Sequence, residues 1–205
     1  MNRISLIRPI AVTLAAMALS ACALLATPEP VQTYRFGEAA PAASAALSVA
    51  SPTEVTLRRV EFPRAVEGDR LLGVTGTETA YIAGARWVSP AADLYMASIE
   101  NAFTAQATRV RLIGPRELIR ARRSLDIDVR SFEARYEAPG RAPTIVITAR
   151  ARLLALPDRT VAAEQVFTIE QPATANRVSA IVEAFDIATR DLNTRIVAWT
   201  DASAG

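Results

Sequence analysis

The sequence predicts an α+β fold: a two-layer domain with a mainly antiparallel sheet packed by two long amphipathic helices. Two segments, 90–107 and 178–199, repeat apolar residues at intervals of three and four, which is the period of a helix with one buried face. Several other segments alternate apolar and polar residues, as half-buried strands do. Because 51% of the residues are hydrophobic, apolar burial is sufficient to hold such a domain together.

The chain opens with a pattern typical of a secretory signal. Arg3 and Arg8 are the only charges before an apolar run from Ile10 to Ala18. That run is shorter than the roughly 18 to 20 residues that span a bilayer. Residues 1–21 are therefore predicted to be a lipoprotein-type signal peptide that directs export, and residues 22–30, which are apolar and rich in proline, a short tether.

The tetrapeptide Leu19-Ser20-Ala21-Cys22 resembles the lipobox of bacterial lipoproteins, and Cys22 is the only cysteine in the chain. The resemblance implies a diacylglycerol on the Cys22 sulfur, cleavage before Cys22 and acylation of its amine, for example by palmitate. In that family an aspartate after the cysteine retains the product at the inner membrane. Ala23 stands there instead, so the resemblance implies an outer-membrane location that faces the periplasm. The alternative is an unmodified thiol in a secreted protein.

Composition excludes many kinds of active site. The chain has neither His nor Lys, which removes His-based nucleophile activation, imidazole metal sites, Schiff bases and phosphate-loop lysines. Without Arg3 and Arg8 the basic and acidic residues are equal in number, so no general attraction to nucleic acid is expected. We expect no catalytic residues, metal or cofactor, although a hydrolase that uses paired carboxylates stays open.

Short strands are expected after the tether. The segments that contain β-branched or alternating apolar residues are 31–36, 47–50, 55–62, 71–74 and 79–83. The last two flank Gly76 and Thr77 and are predicted to form a hairpin.

A helix is predicted over 90–107, with Ser89 as its cap and Pro90 as its first residue. Its apolar face is expected to consist of Ala92, Met96, Ile99, Phe103 and Gln106, with Tyr95 and Ala102 beside that stripe. We expect these side chains to form core rather than a ligand site.

The residues Tyr81, Gly84, Ala85, Arg86 and Trp87, followed by a proline and a long amphipathic helix, resemble the ABC-type transport auxiliary lipoprotein family. The resemblance covers roughly residues 34–199. It implies partners that include an ABC permease, its ATPase and a membrane-tethered MCE-domain protein, and a role in moving lipids or other apolar compounds between two envelope membranes. The family supplies no catalytic residues to carry over.

A cluster of arginines follows a strand predicted over 109–114 and a short helix predicted to begin at Pro115. Its members Arg116, Arg120, Arg122 and Arg123 suit phosphate headgroups or an acidic partner surface. The alternative is a solvated face that binds nothing.

Three segments, 124–136, 144–155 and 161–170, are predicted to form an antiparallel meander. Asp126 and Asp128 lie on one face of the first strand, where a charged outer face is favoured over a metal site because the sequence shows no third ligand.

The last helix is predicted from Val178 to Trp199, capped by Thr174 or Asn176. Residues 201–205 are predicted to be a tail that is frayed from Ala202 to Gly205. Residues 31–200 are thus predicted to form a single α+β domain.

The sequence as a whole favours a lipid-anchored, non-catalytic auxiliary component of an ABC/MCE-type intermembrane lipid transport system that docks the transporter at the outer membrane. Two alternatives are a scaffold lipoprotein of another envelope machine and a periplasmic carrier of an apolar ligand. The carrier requires a cavity of several hundred cubic ångströms between helices and sheet. Self-association into a homo-oligomer, such as a ring of like subunits, is left open.

Overall fold

The computed structural model describes residues 31–37, 51–114 and 117–204. The predicted signal peptide, Cys22, the tether, the strand at 47–50 and Arg116 lie outside the described residues.

Eight strands and two helices make up the described part of the chain, and the predicted α+β class is confirmed. In chain order they are β1 (Gln32–Tyr34), β2 (Thr53–Glu61), β3 (Arg70–Thr75), β4 (Glu78–Trp87), α1 (Ala91–Gln106), β5 (Val110–Ile113), β6 (Arg123–Tyr136), β7 (Thr144–Ala155), β8 (Thr160–Pro172) and α2 (Val178–Ser203). The bounds of β7 coincide with the predicted strand over 144–155. Each end of α1 lies within one residue of the helix predicted over 90–107.

The sheet is mixed: among the described strands three pairings are antiparallel and four are parallel, so the prediction of a mainly antiparallel sheet is confirmed only in part. The β3–β4 hairpin and the β6–β7–β8 meander are antiparallel, as predicted. β6 also pairs in parallel with two earlier strands, with β2 along Arg123–Asp128 and with β3 along Ala134–Tyr136. β5 and β1 complete the sheet through further parallel pairings with β2 and β4. Parallel pairs join strands that are distant in sequence, so no turn motif in the sequence indicates which strands pair.

Aromatic side chains from the sheet and both helices meet in the core. Phe132 of β6 lies with its ring centroid 4.9 Å from that of Phe185 on α2 and 5.2 Å from that of Phe36. Phe36 in turn contacts Trp87 of β4 edge to face at 4.8 Å. Phe62, after β2, bridges Phe132 and Tyr95 of α1 at 5.6 Å from each ring. These contacts fill the space where a carrier would hold its ligand between helices and sheet.

The buried face of α1 differs from the predicted stripe. Ile99 and Phe103 are buried as expected and the half-buried Met96 packs against the core, but Ala92 is only partly buried and Gln106 is exposed. The helix instead buries Ala91, Tyr95, Ser98 and Ala102 together with Ile99 and Phe103. The helix begins after Pro90 with no side-chain cap bond, so the predicted Ser89 cap is also wrong.

Most of the apolar stripe predicted for α2 is buried, and the helix extends beyond its predicted end at Trp199. The buried members of the stripe are Ile181, Val182, Phe185, Ala188, Leu192 and Ile196. Arg177 occupies the N-cap position without a side-chain cap bond, so neither predicted cap is used. The frayed tail is wrong for residues 202 to 204, because the helix continues to Ser203 and Ala204 is buried with its carbonyl accepting the Thr53 hydroxyl at 3.3 Å. Neither of the described helices combines the length and apolarity needed to cross a bilayer.

Candidate functional site

The predicted arginine cluster lies where the chain passes from β5 to β6. Arg120 and Arg122 are exposed, and Arg123, the first residue of β6, is half-buried. The backbone of Arg122 is fixed on both sides, since its N–H donates to Glu54 O at 3.1 Å and its carbonyl accepts the Leu156 N–H at 3.0 Å. Within the described ranges these three guanidiniums form no ion pair, so their charge is available to a ligand. Arg116 cannot be placed with them, since it lies outside the described residues.

The short helix predicted at Pro115 is wrong for residues 117–121, which have no regular structure. Glu117 instead folds back on the end of β5, where its carboxylate accepts the Gly114 N–H at 2.9 Å and lies 3.5 Å from Arg111. This ion pair compensates the charge of Arg111.

Two apolar side chains that the sequence analysis did not single out lie next to the cluster. Leu118 is fully exposed and Ile119 is 43% exposed. In the sequence, Leu118 and Ile119 stand between the charged residues Glu117 and Arg120, and this position could have indicated that they are exposed. It did not, because two adjacent apolar residues in a predicted helix are more typical of a buried core.

On the outer face of β6 and β7, carboxylates are paired with arginines. Asp126 and Asp128 thus belong to a charged outer face, as predicted. Asp128 lies 3.0 Å from Arg150, and Asp126 lies 3.7 Å from Arg152, each pair facing across the two strands. Among the described residues no group of His, Cys, Asp and Glu has the arrangement of a metal site. Cross-strand ion pairing is therefore what these two aspartates do in the structure.

An open groove of about 330 Å³ lies on the β3–β4 hairpin, beside the end of β6. Gly73 forms its floor, because a Cβ at this position would lie 3.2 Å from the Tyr136 ring and 3.8 Å from Ile82. Partial burial raises the pKa of the Tyr136 hydroxyl. The groove is lined by Gly73, Thr75, Glu78, Thr79, Ala80, Tyr81, Ile82 and Tyr136.

Glu78 is the one charged residue of that lining, and it forms no ion pair with any described residue.

On the hairpin, Tyr81 is held in place by two contacts. Its hydroxyl donates to Ala65 O at 3.1 Å, and the Arg70 guanidinium lies 3.6 Å from its ring centroid. The hairpin is thus braced against the loop that follows β2.

A second crevice, of about 180 Å³, lies between α1 and α2. In its wall Asn193 Nδ2 donates to Ser98 Oγ at 2.7 Å, although both residues are buried. Asn193 Oδ1 has no partner among the described residues. Amide and hydroxyl groups offer hydrogen bonds but do not titrate near neutral pH. At Ser98 and Asn193 the crevice therefore has the chemistry of a contact site rather than of acid–base catalysis.

A family model for the ABC-type transport auxiliary lipoprotein component matches residues 34–197, which is most of the chain. The chain belongs to this family. The resemblance carried by Tyr81 to Trp87 is thereby confirmed, over nearly the span that was expected. This auxiliary lipoprotein belongs to a transport family of the bacterial envelope rather than to a known family of enzymes.

Solved structures share the fold of the auxiliary lipoprotein. A DUF330-family protein from Xanthomonas campestris has a TM-score of 0.66 at 24% identity, over 84% of this chain and 93% of that one. The hypothetical protein CT253 from Chlamydia trachomatis has a TM-score of 0.52 at 11% identity, over 75% of this chain and 98% of that one. At these identities the likeness concerns the fold alone. No curated protein matches the chain significantly.

Proposed function

We propose that this auxiliary lipoprotein is a lipid-anchored, non-catalytic component of an ABC/MCE-type intermembrane lipid transport system and docks the transporter at the outer membrane. The observation that carries the proposal is membership of a transport auxiliary family in a chain whose start has a lipobox, Leu19-Ser20-Ala21-Cys22. Partners are an MCE-domain protein and the ABC permease with its ATPase. No nucleic acid or cofactor takes part.

The proposed membrane attachment is through Cys22. Two or three acyl chains hold a protein firmly at a bilayer, at about 0.8 kcal/mol per buried methylene, whereas a single chain does so only marginally. Ala23 supports the outer membrane as the destination. Mass spectrometry of protein from its native host should show a triacylated Cys22 as the N-terminal residue, and an unmodified thiol or an uncleaved signal would contradict the anchor.

The arginine cluster supplies a second contact with the membrane or with a partner in this proposal. Arg120, Arg122 and Arg123 are uncompensated by described carboxylates, and the adjacent Leu118 and Ile119 are exposed. Guanidinium groups bind phosphate and carboxylate with paired N–H donors. Cationic side chains beside exposed apolar ones suit the surface of an anionic bilayer or an acidic partner.

The carrier alternative is less well supported than docking. A ligand held between helices and sheet would have to displace Phe36, Trp87, Phe132 and Phe185, which contact one another there. A scaffold lipoprotein of another envelope machine would share the anchor and differ in its partner.

Crosslinking in intact cells of the native host separates these functions. We expect the MCE-domain protein and the ABC permease or ATPase to co-purify with the auxiliary lipoprotein after mild crosslinking. A Cys22→Ser variant should release it from the membrane fraction and reduce that recovery. Recovery of a different envelope machine would favour the scaffold, and co-extracted lipid at one molecule per chain would favour the carrier.

Self-association is proposed to use β8. This strand pairs with β7 and with no other described strand, so its 13 residues present a free edge on which Val161 and Val166 are at least half exposed. Light scattering of the detergent-solubilised protein should show a homo-oligomer that Val166→Lys dissociates. A monomer at all concentrations would contradict this part of the proposal.

A further inference from the structure

β4 has a free edge next to the hairpin groove. β1 pairs with β4 over Ala85–Trp87, and no described strand continues that pairing toward Glu78. From Glu78 to Tyr81 every residue of β4 is exposed, although its opposite edge is paired with β3. Unpaired N–H and C=O groups on such an edge are a template for an added strand.

The chain before β1 is poorly suited to cover this edge. Pro28 and Pro30 precede β1 by a few residues. Proline has no N–H to donate to a sheet, so these two residues cannot extend β1 along β4 by regular pairing. The edge therefore favours a strand that comes from another molecule.

The groove defines the side chains of that strand. Glu78, Ala80 and Ile82 alternate with Thr79 and Tyr81, and Ala80 faces Gly73 across the hairpin while Glu78 faces Thr75. An added strand would lie beside β4, so a residue next to Ala80 can extend a long side chain across the Ala80 methyl toward the Gly73 floor, and a residue two positions away lies beside Glu78. The first site suits a bulky apolar side chain and the second a cationic one.

We infer that the β4 edge and the Gly73 groove together bind an extended segment of a partner protein in which a bulky apolar residue and a basic residue stand two positions apart. Main-chain hydrogen bonds to β4 supply affinity, and the groove and Glu78 select the side chains. The inference rests on the proposed function only in assigning that segment to the transporter.

Synthetic peptides test the inference with the detergent-solubilised full-length protein. The probe is a fluorescein-labelled nonapeptide of alternating threonines with phenylalanine two positions from arginine, followed by fluorescence anisotropy. We expect saturable binding that weakens at least tenfold when arginine is replaced by glutamate, when phenylalanine is replaced by alanine, or when the peptide backbone is N-methylated. No binding up to millimolar peptide, or binding indifferent to these changes, would overturn the inference.

Two pairs of protein variants locate the site. Gly73→Ala fills the floor of the groove and Glu78→Arg reverses its charge, and each should weaken binding at least tenfold. The matched controls are Gly68→Ala, where a Cβ meets nothing within 4 Å, and Glu164→Arg on the free edge of β8, and both should stay within twofold of the parent. Weakening by Glu164→Arg instead would move the site to β8 and overturn the inference.

Two other occupants of the edge have their own signatures. A second copy of the chain would appear as an oligomer that Glu78→Arg dissociates, and a lipid would appear as vesicle binding that Gly73→Ala abolishes. Either result, in place of peptide binding, overturns the inference. Glu78 is exposed, so Glu78→Arg keeps the test valid if Gly73→Ala destabilises the fold. Failure with peptides leaves the transporter function standing, because crosslinking of the transporter components tests that function separately.

Discussion

Asp201 near the end of α2 accepts the backbone N–H of Thr108 at 2.8 Å and so ties the last helix to the start of β5. The same carboxylate accepts the N–H groups of Arg109 at 3.2 Å and Val110 at 3.0 Å and the Thr108 hydroxyl at 3.0 Å. Asp201, which the sequence assigns to the C-terminal tail, therefore joins two elements that are more than 90 positions apart.

Removing this carboxylate should destabilise the protein strongly. Asp201→Ala removes the carboxylate that accepts the part-buried N–H groups of Thr108 and Val110 and the exposed N–H of Arg109, and we expect the free energy of unfolding to fall by about 2–3 kcal/mol. The control is Asp191→Ala on the same helix, which removes an exposed ion pair with Arg195 and should cost about 0.3–0.5 kcal/mol. Urea denaturation measures both, and equal losses would contradict the bridging role of Asp201.

Gly37 should not tolerate a side chain. Its φ is +73°, and a Cβ there would overlap the side chain of Ser98 on α1. Gly37→Ala should lower the free energy of unfolding by about 2–4 kcal/mol, through left-handed strain and overpacking together.

Gly76→Ala separates those two costs. Gly76 has a φ of +59° but nothing within 4 Å of its added Cβ, so strain alone applies and about 1 kcal/mol is expected. Thermal unfolding that gives the two variants the same melting temperature would refute the close approach of Gly37 to Ser98.

The hydroxyl of Tyr95 should weaken the fold at alkaline pH. Tyr95 is fully buried, its hydroxyl has no partner among the described residues, and burial raises its pKa well above the ordinary value of a tyrosine. Above about pH 10 the unfolded chain releases the proton of this tyrosine while the folded chain retains it, so stability falls as pH rises.

Tyr95→Phe should therefore flatten the alkaline side of the stability curve. At pH 7 the free energy of unfolding should be unchanged or raised by up to about 1 kcal/mol, because no hydrogen bond is lost. Urea midpoints measured between pH 7 and pH 11 test this, and an alkaline slope equal to that of the parent would count against it.

Charge reversal at Arg120, Arg122 and Arg123 should abolish the attraction to anionic lipid. Each basic residue near such a surface contributes about 1 kcal/mol, so the triple substitution to Glu should weaken binding by at least tenfold. Cosedimentation with phosphatidylglycerol vesicles measures the effect in a Cys22→Ser background, where no acyl chain dominates.

The matched control reverses three other arginines, Arg64, Arg141 and Arg177, and should change binding much less. Phosphatidylcholine vesicles should bind both variants and the parent equally weakly. If the cluster variant binds phosphatidylglycerol as the parent does, pull-down of the transporter components decides whether the arginines instead contact protein. If neither lipid binding nor the recovery of these components decreases, the arginines form a solvated face that binds nothing.

Local patterns in the sequence determined the elements whose partners are close by along the chain. The β3–β4 hairpin and the β6–β7–β8 meander were predictable because a turn joins each antiparallel pair and one face of each strand alternates. The stripe of α2 was predictable because its 3.6-residue period is strong over six turns. The arginine cluster was likewise visible as a short motif, and the resemblance of Leu19-Ser20-Ala21-Cys22 to a lipobox stays a prediction.

Tertiary structure alone decided which distant segments meet. β6 receives β2 and β3 on the same edge, and Asp201 reaches Thr108, through contacts that carry no signal in either segment by itself. The same holds for the groove, whose floor exists because Gly73 lies against Tyr136 rather than because of any motif around it. Hydrophobic periodicity indicates approximately which face of a segment is buried, although the buried face of α1 differs from its predicted stripe. Because the hydrophobic effect is non-directional, only the packed chain selects what each face is buried against.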